Sequence, residues 1–302
     1  MKETIDDGRI LVIYPAGLMC EDGLSTPIPE ATYKFLQWIK ADIYVAKTSG
    51  TYFVTPKWSK KKRPGRTYLD IYKLFSKEEI AEMDVDLIKV RTDEALLFDA
   101  YREQEQLHVK YKKGDNIEGI ENVLYMCPHC KSEFSIKVRN KNVIYCTECG
   151  YELLSDKYGF LHKENGEDEI RRYVSDWSSV IYDELKARAE EDLELSMTAK
   201  TKFLLLDSEK NKFAEVGVGE ITLTRSAFII SGIINGEKTE LSVPTASFAS
   251  LPFIPGKYLD IQSGQTSYRC ALERGELVMK FINLVKIFYE MHIEGKRAPA
   301  TT

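Results

Sequence analysis

Cys127-Pro128-His129-Cys130 and Cys146-Thr147-Glu148-Cys149-Gly150 are two C-x-x-C pairs with fifteen residues between them. Each pair can close into a tight knuckle that presents two thiolates, and fifteen residues suffice for a hairpin that brings the knuckles together around one tetrahedral ion. This is the spacing of a zinc ribbon. A disulfide reading is the alternative, but the remaining cysteines are only Cys20 and Cys270 and no secretory signal precedes them, which points to a reducing compartment. His129 lies inside the first knuckle and could replace a ligand, yet four cysteines already fill the shell, so its ring is expected to face solvent. A closed shell leaves no position for water or substrate, and the zinc is therefore expected to be structural.

At 302 residues with 43% hydrophobic content the chain can build two or three cores. A net charge of −5 argues against a protein dominated by nucleic-acid backbone contacts, and no nucleic-acid partner is expected. No apolar run approaches the roughly 20 residues that span a bilayer. The expected location is cytoplasmic, with peripheral association at the inner membrane face as an extension.

Along the first 110 residues, Arg9 to Tyr14 is a continuous apolar run predicting a strand covered on both faces, ending at Pro15-Ala16-Gly17. A helix is predicted over Ala31 to Ile39, strands over Asp42 to Ala46 and Thr67 to Tyr72, and helices over Ser76 to Met83 and Thr92 to Glu105. Ser76 with Glu79 forms a capping-box pattern. Strand, loop, helix, strand is the grammar of an α/β sheet. Between the second and third strands, Lys57 to Arg66 holds six cations and Trp58 in ten residues. Such a run is drawn to anionic phosphate, and Lys60, Lys61, Lys62 and Arg63 are its candidate binding residues; the plainer reading is a solvated loop.

The order of Tyr14-Pro15-Ala16-Gly17, the turn Glu21-Asp22-Gly23, a helix, the strand Ile43 to Ala46, then Gly50-Thr51-Tyr52 and Pro56 resembles the later half of the glycerolipid (lysophospholipid) acyltransferases. In that family a histidine of an H-x-x-x-x-D motif deprotonates the acceptor hydroxyl, which attacks an acyl thioester. Here none of His108, His129, His162 and His292 has aspartate five residues on, so the motif is absent and no catalytic residue is assigned. Ala16 and Met19 stand where the family carries glutamate and arginine, whereas Pro15 and Gly17 keep the backbone-shaping members of the motif and are implied substrate-site residues. The resemblance implies an anionic membrane lipid or lysophospholipid acceptor, with acyl-coenzyme A or acyl carrier protein as donor. Gly119 to Cys130 and Ser250-Leu251-Pro252-Phe253 fit the bacterial members that carry a ribbon and a β-rich module.

Beyond the ribbon, Asp168 to Leu195 predicts one long amphipathic helix or two, with Ile170, Trp177, Ile181 and Leu185 on the apolar face. From Thr201 short runs recur about every ten residues: Phe203 to Leu206, Ala214 to Val218, Glu220 to Thr224, Ala227 to Ile234, Thr239 to Val243, Lys257 to Gln262 and Ser267 to Ala271. Gly217 and Gly219, Asn235-Gly236 and Ser263-Gly264 read as turns between them. A broad apolar helix over Glu276 to Met291 closes the pattern, which is the outline of a pleckstrin-homology-like fold.

The expected fold class is thus multidomain α+β. A partial α/β acyltransferase-like part covers residues 1–110, the zinc ribbon with its following helix 111–198, and the antiparallel barrel or sandwich with its closing helix 199–295, before a frayed tail. Two functions remain open: the later portion of a lysophospholipid acyltransferase, inactive by itself, or a non-catalytic zinc-ribbon and pleckstrin-homology-like binding or adaptor protein.

Overall fold

The computed structural model describes residues 2–166, 172–207 and 209–297. The chain forms two compact units. The first is built from residues up to Lys57, Lys61–Asp115 and Asp156–Phe160, the second from Trp58–Lys60, Asn116–Ser155 and the chain from Leu161 onward.

The first unit contains α1 (Lys2–Asp6), α2 (Glu30–Ile39), β1 (Ile43–Ser49), α3 (Thr51–Val54), β2 (Tyr68–Phe75), α4 (Lys77–Glu82), α5 (Val85–Leu96) and α6 (Ala100–Leu107). Tyr33 and Leu36 of α2 pack with Phe75, Ile80 and Ile88 in one core cluster. A second, aromatic cluster joins Phe53 to Tyr52, Tyr101 and Tyr111 at ring-centroid distances of 5.3, 5.1 and 5.4 Å. The capping box forms as the residues predict: the Glu79 N–H donates to Ser76 Oγ, and Glu79 accepts from the Ser76 N–H.

Three sequence expectations for this unit are corrected. Arg9 to Tyr14 is not a strand but an exposed, irregular stretch that pairs with no described strand, so its β propensity alone does not decide its structure. β1 and β2 form a two-stranded antiparallel sheet, Ile43 opposite Phe75 and Ser49 opposite Tyr68, in place of an α/β sheet. The single helix expected over 92–105 is two, because Asp99 caps a new N-terminus by accepting from the Tyr101 and Arg102 N–H groups.

The second unit begins with the ribbon, a four-stranded sheet of β3 (Ile136–Arg139), β4 (Val143–Cys146), β5 (Glu152–Ser155) and β6 (Leu161–His162). Helix α7 (Val174–Glu191) follows, with Trp177, Ile181, Leu185 and Ala189 buried at four-residue spacing. The part of this helix expected at Ile170 lies outside the described residues, as does most of the expected tail.

A seven-stranded antiparallel sheet comes next: β7 (Met197–Asp207), β8 (Lys212–Leu223), β9 (Ala227–Ile234), β10 (Glu237–Pro244), β11 (Phe253–Ile254), β12 (Tyr258–Ser263) and β13 (Thr266–Leu272). Their order across the sheet is β10-β9-β8-β7-β13-β12-β11. Helix α8 (Val278–Arg297) covers it, burying Phe281, Ile282, Leu284, Val285 and Phe288, with Phe281 stacked on Phe228 at 6.0 Å. A large antiparallel sheet closed by one helix resembles the pleckstrin-homology-like outline. The chain is a mixed α+β protein with a zinc ribbon.

Asn235 and Gly236 both take positive φ, 52° and 82°, and close the β9–β10 hairpin. Gly217 and Gly219 do not make a turn, and the two runs expected on either side of them are one strand, β8. A Cβ at Gly217 would sit 2.0 Å from the Ile233 carbonyl oxygen, and one at Gly219 2.1 Å from that of Ser231. These glycines allow β8 and β9 to approach closely where the β7–β8 register also shifts.

Candidate metal centre

The two knuckles close in the same way. The Lys131 N–H donates to the Cys127 carbonyl at 3.0 Å, and the Gly150 N–H donates to that of Cys146 at 3.1 Å. Each of these donors follows the second cysteine of its pair and takes positive φ, 61° at Lys131 and 72° at Gly150. Glycine adopts that conformation freely, whereas at Lys131 it costs on the order of 1 kcal/mol. The Lys131 ammonium is in turn paired with Glu184 of α7 at 3.3 Å.

Closure brings the four sulfurs within 4.8 Å of one another. Cys127 and Cys149 Sγ are 3.6 Å apart, and Cys130 and Cys146 Sγ are 3.7 Å apart. Both spacings are far too long for a disulfide, where S–S is about 2.0 Å. They match the edge of a tetrahedron, about 3.8 Å for zinc–sulfur bonds of about 2.3 Å. The donor set fits zinc: Cys127, Cys130, Cys146 and Cys149 hold one structural zinc, all four positions filled by sulfur. Cys127 and Cys146 are buried while Cys130 and Cys149 are exposed, so the ion sits at the edge of the ribbon.

Around the metal-free thiols the environment is uneven. Burial pushes Cys127 up to about 12. Burial also acts to raise Cys146, but the Ser135 hydroxyl and the N–H groups of Cys149 and Glu148 outweigh it and hold that thiol down to about 6. Ser135 Oγ lies 3.3 Å from the Cys146 sulfur and 3.0 Å from the Ser132 carbonyl, and it favours the thiolate when its one proton turns to the sulfur. Its contact with the sulfur is not legible in the C-x-x-C spacing, because Ser135 lies just before β3, outside both knuckles. His129 is exposed and lies parallel to Tyr151, centroids 6.1 Å apart, outside the cysteine cluster.

The ribbon is fastened to the helices of its own unit by groups that spacing rules do not reveal. Trp177 Nε1 donates to the Met126 carbonyl at 2.9 Å, one residue before the first ligand. Asn283 of α8 donates to the buried Tyr125 hydroxyl. Glu133 accepts from Arg188 of α7 at 3.1 Å and from Lys280 of α8 at 2.6 Å, and its side chain is only 17% exposed. Glu133→Ala is expected to cost about 1–2 kcal/mol, since both partners keep some access to water. The check is a double-mutant cycle with Lys280→Met in urea; additive effects would show that the pair contributes nothing.

The other sequence-derived site residues fall in different settings. Pro15 sits in a turn closed by the Gly17 N–H donating to the Tyr14 carbonyl at 3.0 Å, with Gly17 at φ 66°. Lys60, Lys61 and Lys62 are exposed. Arg63 is not: it is 2% exposed, with Nε donating to the Phe53 carbonyl at 2.9 Å and a terminal nitrogen to that of Gly114 at 3.0 Å. Its assignment to an anionic ligand is corrected, because a guanidinium enclosed by protein carbonyls is not presented to a surface. Trp58 is 4% exposed and is equally withdrawn.

A protein-family model described as DNA-directed RNA polymerase, 7 kDa subunit, a zinc ribbon, matches residues 120–157. Among curated proteins nothing matches the chain. Among solved structures the chain is similar to the Ran-binding domain of the nuclear complex component Nup2 from Ashbya gossypii, at 16% identity and a TM-score of 0.25, over 32% of this chain and 99% of that one. No described helix is long and apolar enough to cross a membrane.

Proposed function

We propose that the chain is a non-catalytic binding or adaptor protein in which a zinc ribbon is built into a pleckstrin-homology-like module. The observation that carries this reading is Glu133, a ribbon residue whose carboxylate is held by α7 and by the closing helix α8 at once. A metal with all four positions filled by thiolate supplies rigidity and no reaction. What such a unit offers a partner is a stiff surface.

A second reading, the later portion of a lysophospholipid acyltransferase, is favoured by the Gly50-Thr51 segment. β1 runs into Gly50, whose φ of 80° starts α3, and a Cβ there would lie 2.7 Å from the Tyr111 hydroxyl. The strand, turn and buried Pro56 follow the order that the family resemblance implies.

Neither reading gives this chain a general base, a group that typically contributes about 10² to 10⁴-fold. His108 stacks on Tyr158 at 4.2 Å, His129 faces Tyr151, His162 Nδ1 lies 3.0 Å from the Lys163 carbonyl, and His292 is exposed on α8. With acyl-coenzyme A and lysophosphatidic acid, the purified chain is expected to give no turnover above buffer. Turnover abolished by changing one of these histidines would overturn both readings. Calorimetric titration separates them: saturable binding of monomeric acyl-coenzyme A or lysophosphatidic acid favours the acyltransferase portion, and its absence favours the adaptor.

A further inference from the structure

We infer that the first unit carries a composite surface for anionic membrane, made by three basic segments far apart in sequence and by the exposed apolar stretch after α1. It goes beyond the adaptor reading and does not depend on it.

Lys57 to Arg66 is the longest cationic run in the sequence. Folding lays a second beside it: the Lys112 N–H donates to the Pro64 carbonyl at 2.7 Å, and the Tyr111 N–H donates to that of Lys157 at 2.9 Å. The buried Arg63 side chain ties the same segments together through Gly114. Lys61, Lys62 and Arg66 on the first segment thereby adjoin Lys110, Lys112 and Lys113 on the second and Lys157 on a third, and all seven are exposed. Among the described residues Lys62, Arg66, Lys112, Lys113 and Lys157 form no ion pair. The carboxylates on these segments are Asp115, half-buried, and Asp156, which accepts from the Tyr158 and Phe160 N–H groups. On these three segments the balance is therefore strongly positive in a chain whose net charge is −5, whereas Asp6 and Asp7 before the apolar stretch and Glu21 and Asp22 after it carry the opposite sign.

What selects membrane over nucleic acid is the neighbouring apolar stretch. Ile10, Val12, Tyr14 and Met19 are 89%, 73%, 86% and 63% exposed, and Lys57 Nζ donates to the Met19 carbonyl at 3.1 Å, joining this stretch to the cationic run. Exposed aliphatic side chains beside clustered lysines gain from an interface that has both acyl chains and anionic headgroups. A phosphodiester backbone offers them nothing, and Trp58, the aromatic residue within the run, is buried and cannot stack on bases.

Vesicle sedimentation of the whole chain tests the proposal. Binding to phosphatidylcholine–phosphatidylserine vesicles is expected, with little to phosphatidylcholine alone, and it should weaken as salt shortens the screening length from about 10 Å towards 3 Å. Lys112→Gln with Lys113→Gln is expected to lower the partition coefficient about thirtyfold at low salt, matching Lys61→Gln with Lys62→Gln. Ile10→Ser with Val12→Ser should remove the salt-resistant part of binding. These side chains are exposed, so circular dichroism is expected to stay unchanged. Wild-type binding by the Lys112/Lys113 variant would reduce the surface to the linear run and overturn the composite. Equal binding to neutral vesicles, or tighter binding to duplex DNA than to anionic vesicles, would overturn the membrane assignment. Acyl-transfer assays and ligand titrations are independent of every arm.

Discussion

Removing the zinc is expected to unfold the ribbon and to loosen the helices that pack on it. Purified protein should contain one zinc per chain, and a strong chelator or Cys127→Ser should abolish cooperative unfolding of the ribbon. The magnitude follows from coupling: metal binding to a four-thiolate site carries about 10–16 kcal/mol of apparent free energy at neutral pH, as much as the whole stability of a typical domain. Without the ion, four thiols remain around a gap, two of them buried. Cys127→Ser should be worse than Cys130→Ser because Cys127 is enclosed and Cys130 is exposed.

The sign with pH follows from the ligands. Only thiolates bind, and burial favours the protonated form of Cys127, so protons compete with zinc and affinity falls as pH falls. The loss should be visible at a distance from the ion, because Trp177 is fully buried with its Nε1 on the Met126 carbonyl and its ring edge-on to Tyr151 at 6.1 Å. In a background with Trp38 and Trp58 changed to Phe, chelation should shift Trp177 emission to the red. A chain with clearly less than one zinc, or one that keeps its near-ultraviolet dichroism after chelation, would remove the structural role.

The parts of the fold that were legible in the sequence are those governed by neighbours in the chain. Each C-x-x-C knuckle is closed by a hydrogen bond spanning four residues, and the Ser76–Glu79 box and the Asn235-Gly236 turn are similarly short-range. What was not legible depends on groups remote in sequence. Arg9 to Tyr14 has the composition of a buried strand, but β propensity depends on context and this stretch packs against neither strand of the first unit's sheet as a third strand. Gly217 and Gly219 carry the residue type of a turn and serve instead to admit the backbone of β9, a contact sixteen and twelve residues away in sequence (Gly217 to Ile233, Gly219 to Ser231). The knuckle cysteines were complete from spacing, whereas Glu133, which fastens the ribbon to α7 and α8, looks like any charged hairpin residue until Arg188 and Lys280 are placed beside it.

Arg63 gives the second large effect, and it separates residues that composition treats as equal. Within Lys60-Lys61-Lys62-Arg63 the first three are exposed and the fourth is enclosed, its N–H donating to the Val54 carbonyl while its side chain serves Phe53 and Gly114. Burial pulls the guanidinium pKa down, opposed by Tyr101, Tyr52, Tyr111 and Asp115, and a guanidinium is not deprotonated in proteins, so Arg63 is charged. Arg63→Ala withdraws two donors from carbonyls of buried residues, each worth about 1–3 kcal/mol when left unmade, and leaves the space of a buried stem empty. A loss of about 3–5 kcal/mol from the first unit is expected, against less than about 0.5 kcal/mol for Lys62→Ala on the exposed neighbour. Arg63→Lys keeps the charge but not the planar fork that reaches both carbonyls, so it should recover less than half of the loss. Hydrogen exchange read on peptides of β1, α3 and α6 is the measurement, since it reports this unit separately from the ribbon. Protection in Arg63→Ala equal to that in Lys62→Ala would mean that the enclosed guanidinium holds nothing together.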